Sequence, residues 1–202
     1  MNEILNNNGY DYVDLGLPSK TLWATMNVGA SKPSDFGLYF QWGDTQGYTA
    51  DQVGKDKQFN WADYKFSIDG SSLKFSKYTT DGESLELADD AANANMGGSW
   101  HMPSPTQLKE LTANTTNTWT TQYGVKGRLF TSKKNDKSIF IPAAGFAWDG
   151  SVRNSRRDGY VWSSMLSKSY VDSGQYLNFD SSYIALNGYS RYGGFSVRGV
   201  LG

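Results

Sequence analysis

Gly159-Tyr-Val-Trp-Ser-Ser-Met165 and Gly194-Phe-Ser-Val-Arg-Gly-Val200 frame a run dense in Tyr, Ser, Asn, Asp and Gly. Six tyrosines fall inside it: Tyr160, Tyr170, Tyr176, Tyr183, Tyr189 and Tyr192. No Glu follows Glu110, and the only Lys after Lys137 is Lys168. Two apolar frames thus bracket adaptable polar and aromatic side chains. Val161, Trp162, Leu177, Phe179, Val197 and Val200 are expected to hold strands to a scaffold, with the Tyr, Ser, Asn and Asp positions between them facing outward.

The totals set bounds around this stretch. A chain of 202 residues suits one domain with a real core. Seven Trp and 22 Gly point to short strands, many turns and an aromatic interior. A net charge of −1 gives no general attraction to nucleic acid or to an anionic membrane. Cysteine is absent, which excludes disulfides, thiolate metal sites and a cysteine nucleophile. The N-terminal residues carry neither a basic nor an apolar signal region, and no apolar run approaches a membrane span.

Residues 1–9 read as a frayed or extended Asn-rich lead-in, and residues 10–202 as a single domain. Tyr10–Leu15, Thr21–Val28 and the aromatic Leu38–Trp42 read as strands. Residues 43–83 read as a long ordered loop pinned by Phe59, Trp61, Tyr64 and Phe66. One helix is expected from about Glu86 to Asn95, stopped by Gly97-Gly98, with Asp89 and Asp90 near its start. A second begins at the N-cap Ser104, with Pro105 at its first position, Gln107 completing a capping box, and Leu108 and Leu111 facing the core. Strands follow at Thr118–Tyr123, Arg128–Ser132 and Ser138–Pro142. Strands, two helices, then strands alone make an α+β chain.

The search for chemistry is mostly negative. His101 is the only histidine, and with no Cys it cannot build a zinc cluster without carboxylates. It reads as a structural residue of its turn. Asp89 and Asp90 read as helix caps before cation ligands. There is no Gly-x-Ser-x-Gly elbow, Walker loop or dinucleotide fingerprint. No catalytic residue, metal or cofactor is expected. Arg153, Arg156 and Arg157, with Tyr160, could clamp an anionic ligand or form a solvated loop. Arg198, between Val197 and Val200, reads as a buried ion pair or backbone clamp.

The composition of residues 159–199 is that of a recognition surface. Tyr offers large, rigid contact area, and Ser, Gly and Asn add adaptable hydrogen bonds. Strand propensity alone would explain the Tyr, but not the joint loss of Lys and Glu.

The segments Tyr12-Val-Asp-Leu-Gly-Leu-Pro-Ser19, Leu22–Ala30, Tyr39-Phe-Gln-Trp-Gly-Asp44, Asp89-Asp-Ala-Ala92, Gly97-Gly-Ser-Trp-His-Met-Pro-Ser104, Ile139–Gly145, Val161-Trp-Ser-Ser164 and Ser196-Val-Arg198 together resemble the Fibrobacter-succinogenes-type major paralogous domain of gut Bacteroidetes and their phages. The resemblance spans residues 10–200 and implies a C-type-lectin-like fold with long ordered loops. Residues 146–198 also resemble the variable region of proteins diversified by retroelements, in which adenines of a template are randomised. Such codons do not yield Lys or Glu. The resemblance implies ligand-binding positions at Asn154, Tyr160, Ser169, Tyr170, Asp172, Ser173, Tyr176, Asn178, Asp180, Ser182, Tyr183, Asn187, Tyr189, Tyr192 and Phe195, beside Arg153, Arg156 and Arg157. Relatives often carry Cys where Met26 and Thr115 stand, and the calcium-dependent sugar motifs of animal lectins are missing.

The expected function is therefore a non-enzymatic adhesin that binds a host-surface protein or glycan, carried on a phage virion tail assembled in the host cytoplasm. Display in several copies is expected, a trimer being one form, with no nucleic acid partner and no membrane insertion. The alternatives are a bacterial cell-surface protein with a fixed glycan or peptide ligand, and a carboxylate-dependent enzyme acting on polysaccharide through His101.

Overall fold

A computed structural model describes residues 5–202. It is a mixed chain of mostly antiparallel sheets with two short helices, α1 (Ala91–Met96) and α2 (Pro105–Asn114). Met1–Ile4 of the expected lead-in lie outside the described residues. The rest of that lead-in is not frayed: β1 (Leu5–Asn7) pairs antiparallel with β2 (Tyr10–Asp14). The turn between them uses left-handed Asn8 and Gly9, the conformations that close a tight hairpin.

The first sheet has the order β1-β2-β3-β12, with β3 Leu22–Asn27 and β12 Arg198–Leu201. The last strand is therefore paired with β3, at the opposite edge of the sheet from β1. Arg198 locks this junction. Its guanidinium donates to Asn27 Oδ1 (3.0 Å), the Ala24 carbonyl (3.0 Å) and the Phe140 carbonyl (2.9 Å). It is the backbone clamp, with no carboxylate partner among the described residues. Burial pushes its pKa down to about 9, so it stays charged at neutral pH.

The expected strand Leu38–Trp42 is not one. It makes single bridges only, from Tyr39 to Tyr48 and from Phe40 to Phe195. Backbone bonds scattered over Val28, Tyr48, Arg191 and Phe195 hold it, together with two indoles. The Trp42 indole donates to the Ser163 carbonyl (2.9 Å) and the Trp162 indole to the Phe40 carbonyl (2.8 Å). The long loop that follows is ordered, with its rings Phe59, Tyr64 and Phe66 buried. Its Asp63 caps its own turn, accepting from the backbone of Gln58, Phe59 and Asn60.

The helix expected from Glu86 is shorter. Leu87–Asp89 is a 3-10 turn, and Asp90 is the true N-cap of α1, accepting from Asn93 N. Gly97 stops α1 as expected. Asp89 faces Lys65 (2.7 Å), Lys77 (2.6 Å) and the Tyr78 hydroxyl (2.8 Å). The second helix is as read, capping box included, and buries Leu108 and Leu111. It leads into a second sheet, β4-β5-β6, of Thr115–Gln122, Val125–Ser132 and Ser138–Pro142.

The last third of the chain adds the hairpin β7 (Phe146–Trp148) and β8 (Ser151–Arg153), then the sheet β11-β10-β9. Its strands are β9 Gly159–Leu166, β10 Ser173–Phe179 and β11 Ile184–Ser190. One face of this sheet carries Val161, Leu177 and Phe179 into a core shared with Leu108, Leu111 and Phe130. The opposite face carries Trp162 and Tyr176 into a second, aromatic core with Trp42, Trp100 and Phe195. Gly174 makes that second contact possible: a Cβ there would sit 2.7 Å from the Trp42 ring.

Candidate functional site

The site is built by the period-two alternation of β9, β10 and β11. Tyr160 stands opposite Asn178, which stands opposite Ala185; Trp162 stands opposite Tyr176, which stands opposite Asn187. All six side chains leave the sheet on the same side, away from the helix-bearing core. Residues 194–197 run along the free edge of β9, with Ser196 bridged in parallel to Val161. That strap lays Phe195 on this face, 4.1 Å from the Trp162 ring in a stacked pair. The hairpin β7–β8 closes one side, bridged from Ala147 to Gly194.

The result is a floor of interlocked rings with a tyrosine surface above it. Tyr160 stacks on Tyr176 at 5.7 Å, and Tyr176 meets Tyr189 edge-on at 6.0 Å. Tyr189 continues to Trp148 at 5.2 Å, Trp148 to Tyr192 at 4.3 Å, and Tyr192 to Trp61 at 4.8 Å. Phe195 touches four of these rings or their neighbours: Tyr160, Trp162, Tyr176 and Tyr189.

Four of the residues expected to face outward belong to the floor. Phe195 (0% exposed), Tyr176 (5%), Asn178 (6%) and Tyr192 (7%) are buried. The reason is geometric. Tyr176 and Asn178 lie on the middle strand, flanked on both sides, and the Phe195 strap and β7 cover that strand. Asn178 spends its amide on the Gly159 carbonyl (3.1 Å).

Arg153, Asn154, Arg156, Arg157, Ser169, Tyr170, Ser182, Tyr183 and Asn187 are exposed. Tyr160, Asp172, Ser173, Asp180 and Tyr189 are half-buried. Most of them fall at two ends of the sheet, while Asn187 stands mid-strand opposite Tyr176. Ser169, Tyr170, Asp172 and Ser173 form the β9–β10 turn, with Tyr170 68% exposed. Asp180, Ser182 and Tyr183 form the β10–β11 turn at the other end, beside the β8–β9 turn that carries Asn154, Arg156 and Arg157. A strand of this length separates the two ends by roughly 20 Å. One small ligand cannot touch both, whereas a macromolecular surface can.

At the second end the polar groups are preorganised. Asp180 Oδ1 accepts from Ser182 N (2.6 Å) and Tyr183 N (2.9 Å), fixing the turn. Asn154 donates to Asp158 Oδ2 (2.6 Å), which also accepts from the Tyr160 hydroxyl (3.4 Å). Burial raises the Tyr160 pKa to about 12, and burial likewise raises Tyr183 and Tyr189 above the usual tyrosine value. These hydroxyls are therefore neutral donors and acceptors at physiological pH.

His101 sits elsewhere, in a bridge to Val200, with its ring nitrogens 2.9 Å from the Met102 carbonyl and 3.3 Å from the Gly202 carbonyl. Among the described residues no group of three or more His, Asp or Glu is placed to hold a metal ion. Among the same residues no helix is long and apolar enough to cross a membrane. A crevice of about 320 Å³ lies away from the tyrosine face: Met26, Pro33, Leu129, Ile139 and Phe140 line it with Asp11 and Lys32.

Several contributors had no signal of their own in the sequence. Trp148 joins the ring floor from a three-residue strand and meets Trp61, which the sequence marks only as a pin of the long loop, through Tyr192. Trp119 and Lys126 lie in strands β4 and β5 and reach the Arg156–Arg157 turn only through the tertiary fold. Comparisons with models of protein families, with curated proteins and with solved structures give no match to this chain.

Proposed function

We propose that the chain is a non-enzymatic binding module whose contact surface is the uncovered β11 side of the β9–β11 sheet and its two end turns. The observation that carries this reading is the pairing of exposed Tyr183, Asn187, Arg153 and Asn154 with a rigid floor of buried rings. Aromatic and amide groups held on strands lose little entropy on binding, and that is how recognition surfaces are built. The fold type behind it is C-type-lectin-like. Support comes from the sheet that joins the first three strands to the last one, the long ordered loop before α1, and the run of segments that resemble the paralogous-domain family.

The same reading makes the exposed subset the diversified one. Asn154, Ser169, Tyr170, Ser182, Tyr183 and Asn187 are the positions a retroelement could randomise without harm to the fold, while Tyr176, Asn178, Tyr192 and Phe195 are fixed. The partner is a host-surface protein or glycan, the carrier a phage tail, and repeated display compensates for weak single contacts.

The test uses the protein multimerised on fluorescent beads and a panel of gut Bacteroidetes cells, read by flow cytometry. The variant Arg153→Ala/Tyr183→Ala/Asn187→Ala is expected to lose cell capture while its melting temperature stays within about 4 °C of wild type, as surface substitutions do. Full capture by this variant, or no capture by the wild type on any cell of the panel, refutes the reading.

A further inference from the structure

We infer that a second subsite, for the negatively charged group of an acidic sugar, lies beside the tyrosine face, between the β4–β5 hairpin and the turns that precede β9 and β11. It rests on the binding reading above and narrows the ligand to a class. The hollow measures about 180 Å³ and is lined by Trp119, Lys126, Arg156, Arg157, Asp158, Asp180 and Ser181.

Arg128 assembles it. Trp119 pairs with Arg128 across the hairpin and Thr121 with Lys126, so Trp119, Arg128 and Lys126 share one face. Arg128 is buried, and its guanidinium donates to Asn117 Oδ1 (2.6 Å), the Asp180 carbonyl (3.1 Å) and the Tyr183 carbonyl (3.1 Å). That clamp draws the β10–β11 turn onto the hairpin and sets Asp180 and Ser181 beside Trp119. From the other side, Arg156 donates to the Gly124 carbonyl at the hairpin tip (3.3 Å). Its φ of +65° costs backbone strain in a non-glycine residue.

The charges are unevenly spent. The side chains of Lys126 and Arg157 make no hydrogen bond or ion pair among the described residues. The two carboxylates are partly engaged: Asp158 by Asn154 and Tyr160, Asp180 by its own turn. Free cations suit one acidic group, and the remaining carboxylate lone pairs suit neutral hydroxyl donors. Ligand pockets for larger molecules begin near ~300 Å³, so this hollow suits a single ring. The Trp119 face offers that ring an apolar wall. Two carboxylates in the wall disfavour a polyanion such as nucleic acid, where every contact brings another negative charge.

Calorimetric titration with 3′-sialyllactose, methyl glucuronide and neutral lactose tests it, with inorganic sulfate as a further titrant. At least one acidic sugar is expected to bind at least about tenfold more tightly than lactose and than sulfate, the loss of one charge-assisted bond being worth that factor. Lys126→Ala/Arg157→Ala, which removes no side-chain hydrogen bond or ion pair among the described residues, is expected to abolish that preference. Absent binding of both acidic sugars, equal binding of lactose or of sulfate, or an unaffected double variant overturns the subsite. Cell capture separates the two proposals. Capture that survives Lys126→Ala/Arg157→Ala but not the tyrosine-face variant leaves the binding reading standing and removes the subsite from it. Acidic-sugar binding with cell capture indifferent to both variants does the reverse.

Discussion

Replacing Phe195 with alanine separates a floor from a contact surface. The ring is fully buried and lies within 5.0 Å of Tyr160, Tyr176 and Trp162. Its backbone also exchanges hydrogen bonds with Phe40 at 2.9 and 3.0 Å, so the surrounding chain is pinned and cannot collapse into the space. Truncation of such a ring costs about 3–5 kcal/mol, and the pinned walls favour the upper half of that range. For a chain of this size 1 kcal/mol shifts the melting temperature by roughly 2–4 °C. The expected fall is therefore between about 6 and 20 °C. Tyr170→Ala and Tyr183→Ala, at 68% and 41% exposure, remove rings that reach solvent, and changes of about 0.5 kcal/mol are expected there. Urea unfolding with a constant slope is the assay, since a change of slope would report the denatured state instead. A loss under about 1 kcal/mol for Phe195→Ala, or a loss above about 2 kcal/mol for either exposed tyrosine, would refute the division of the face.

Arg198→Met leaves the Asn27 side chain and the Ala24 and Phe140 carbonyls without their donor. Each orphaned acceptor costs about 1–3 kcal/mol, so a large fall in the urea midpoint is expected, and a midpoint near wild type would contradict the clamp. Alkaline pH should also destabilise the fold. Unfolded tyrosines ionise near pH ~10, whereas burial holds Tyr160 protonated to about 12. The folded state then binds more protons between those values, and stability present below pH ~10 is lost as pH rises through that window. Midpoints measured from pH 8 to pH 11, on scales set by those two pKa values, should fall more steeply for wild type than for Tyr160→Phe. Equal slopes would count against burial of that hydroxyl.

The elements set by local chemistry were legible. Ser104, Pro105 and Gln107 specify the start of α2 through contacts within one turn, and the structure shows each of them. The strand Ser138–Pro142 was likewise readable from its apolar run. Leu38–Trp42 was not. Its residues have strand propensity, but its backbone bonds are scattered over Val28, Tyr48, Arg191 and Phe195 rather than made to one partner strand, and two indole bonds from distant segments help to fix its place. Periodicity also told which side of β9–β11 Tyr160, Tyr176 and Asn178 leave from. It could not tell whether that side is covered, because the cover is Phe195 and the β7 hairpin, brought in by the fold. The same limit hid Trp119 and Lys126: a hollow made by three chain segments has no signature in any one of them.

The most direct measurement is a saturation scan of residues 146–198 in a display library, with protease resistance read for folding and cell capture read for binding. Separation is expected. Substitutions at Tyr176, Asn178, Tyr192 and Phe195 should lose protease resistance, and substitutions at Arg153, Asn154, Tyr183 and Asn187 should keep it while losing capture. If the same positions govern both readouts, or if the exposed positions leave capture unchanged, the tyrosine face is not the binding surface.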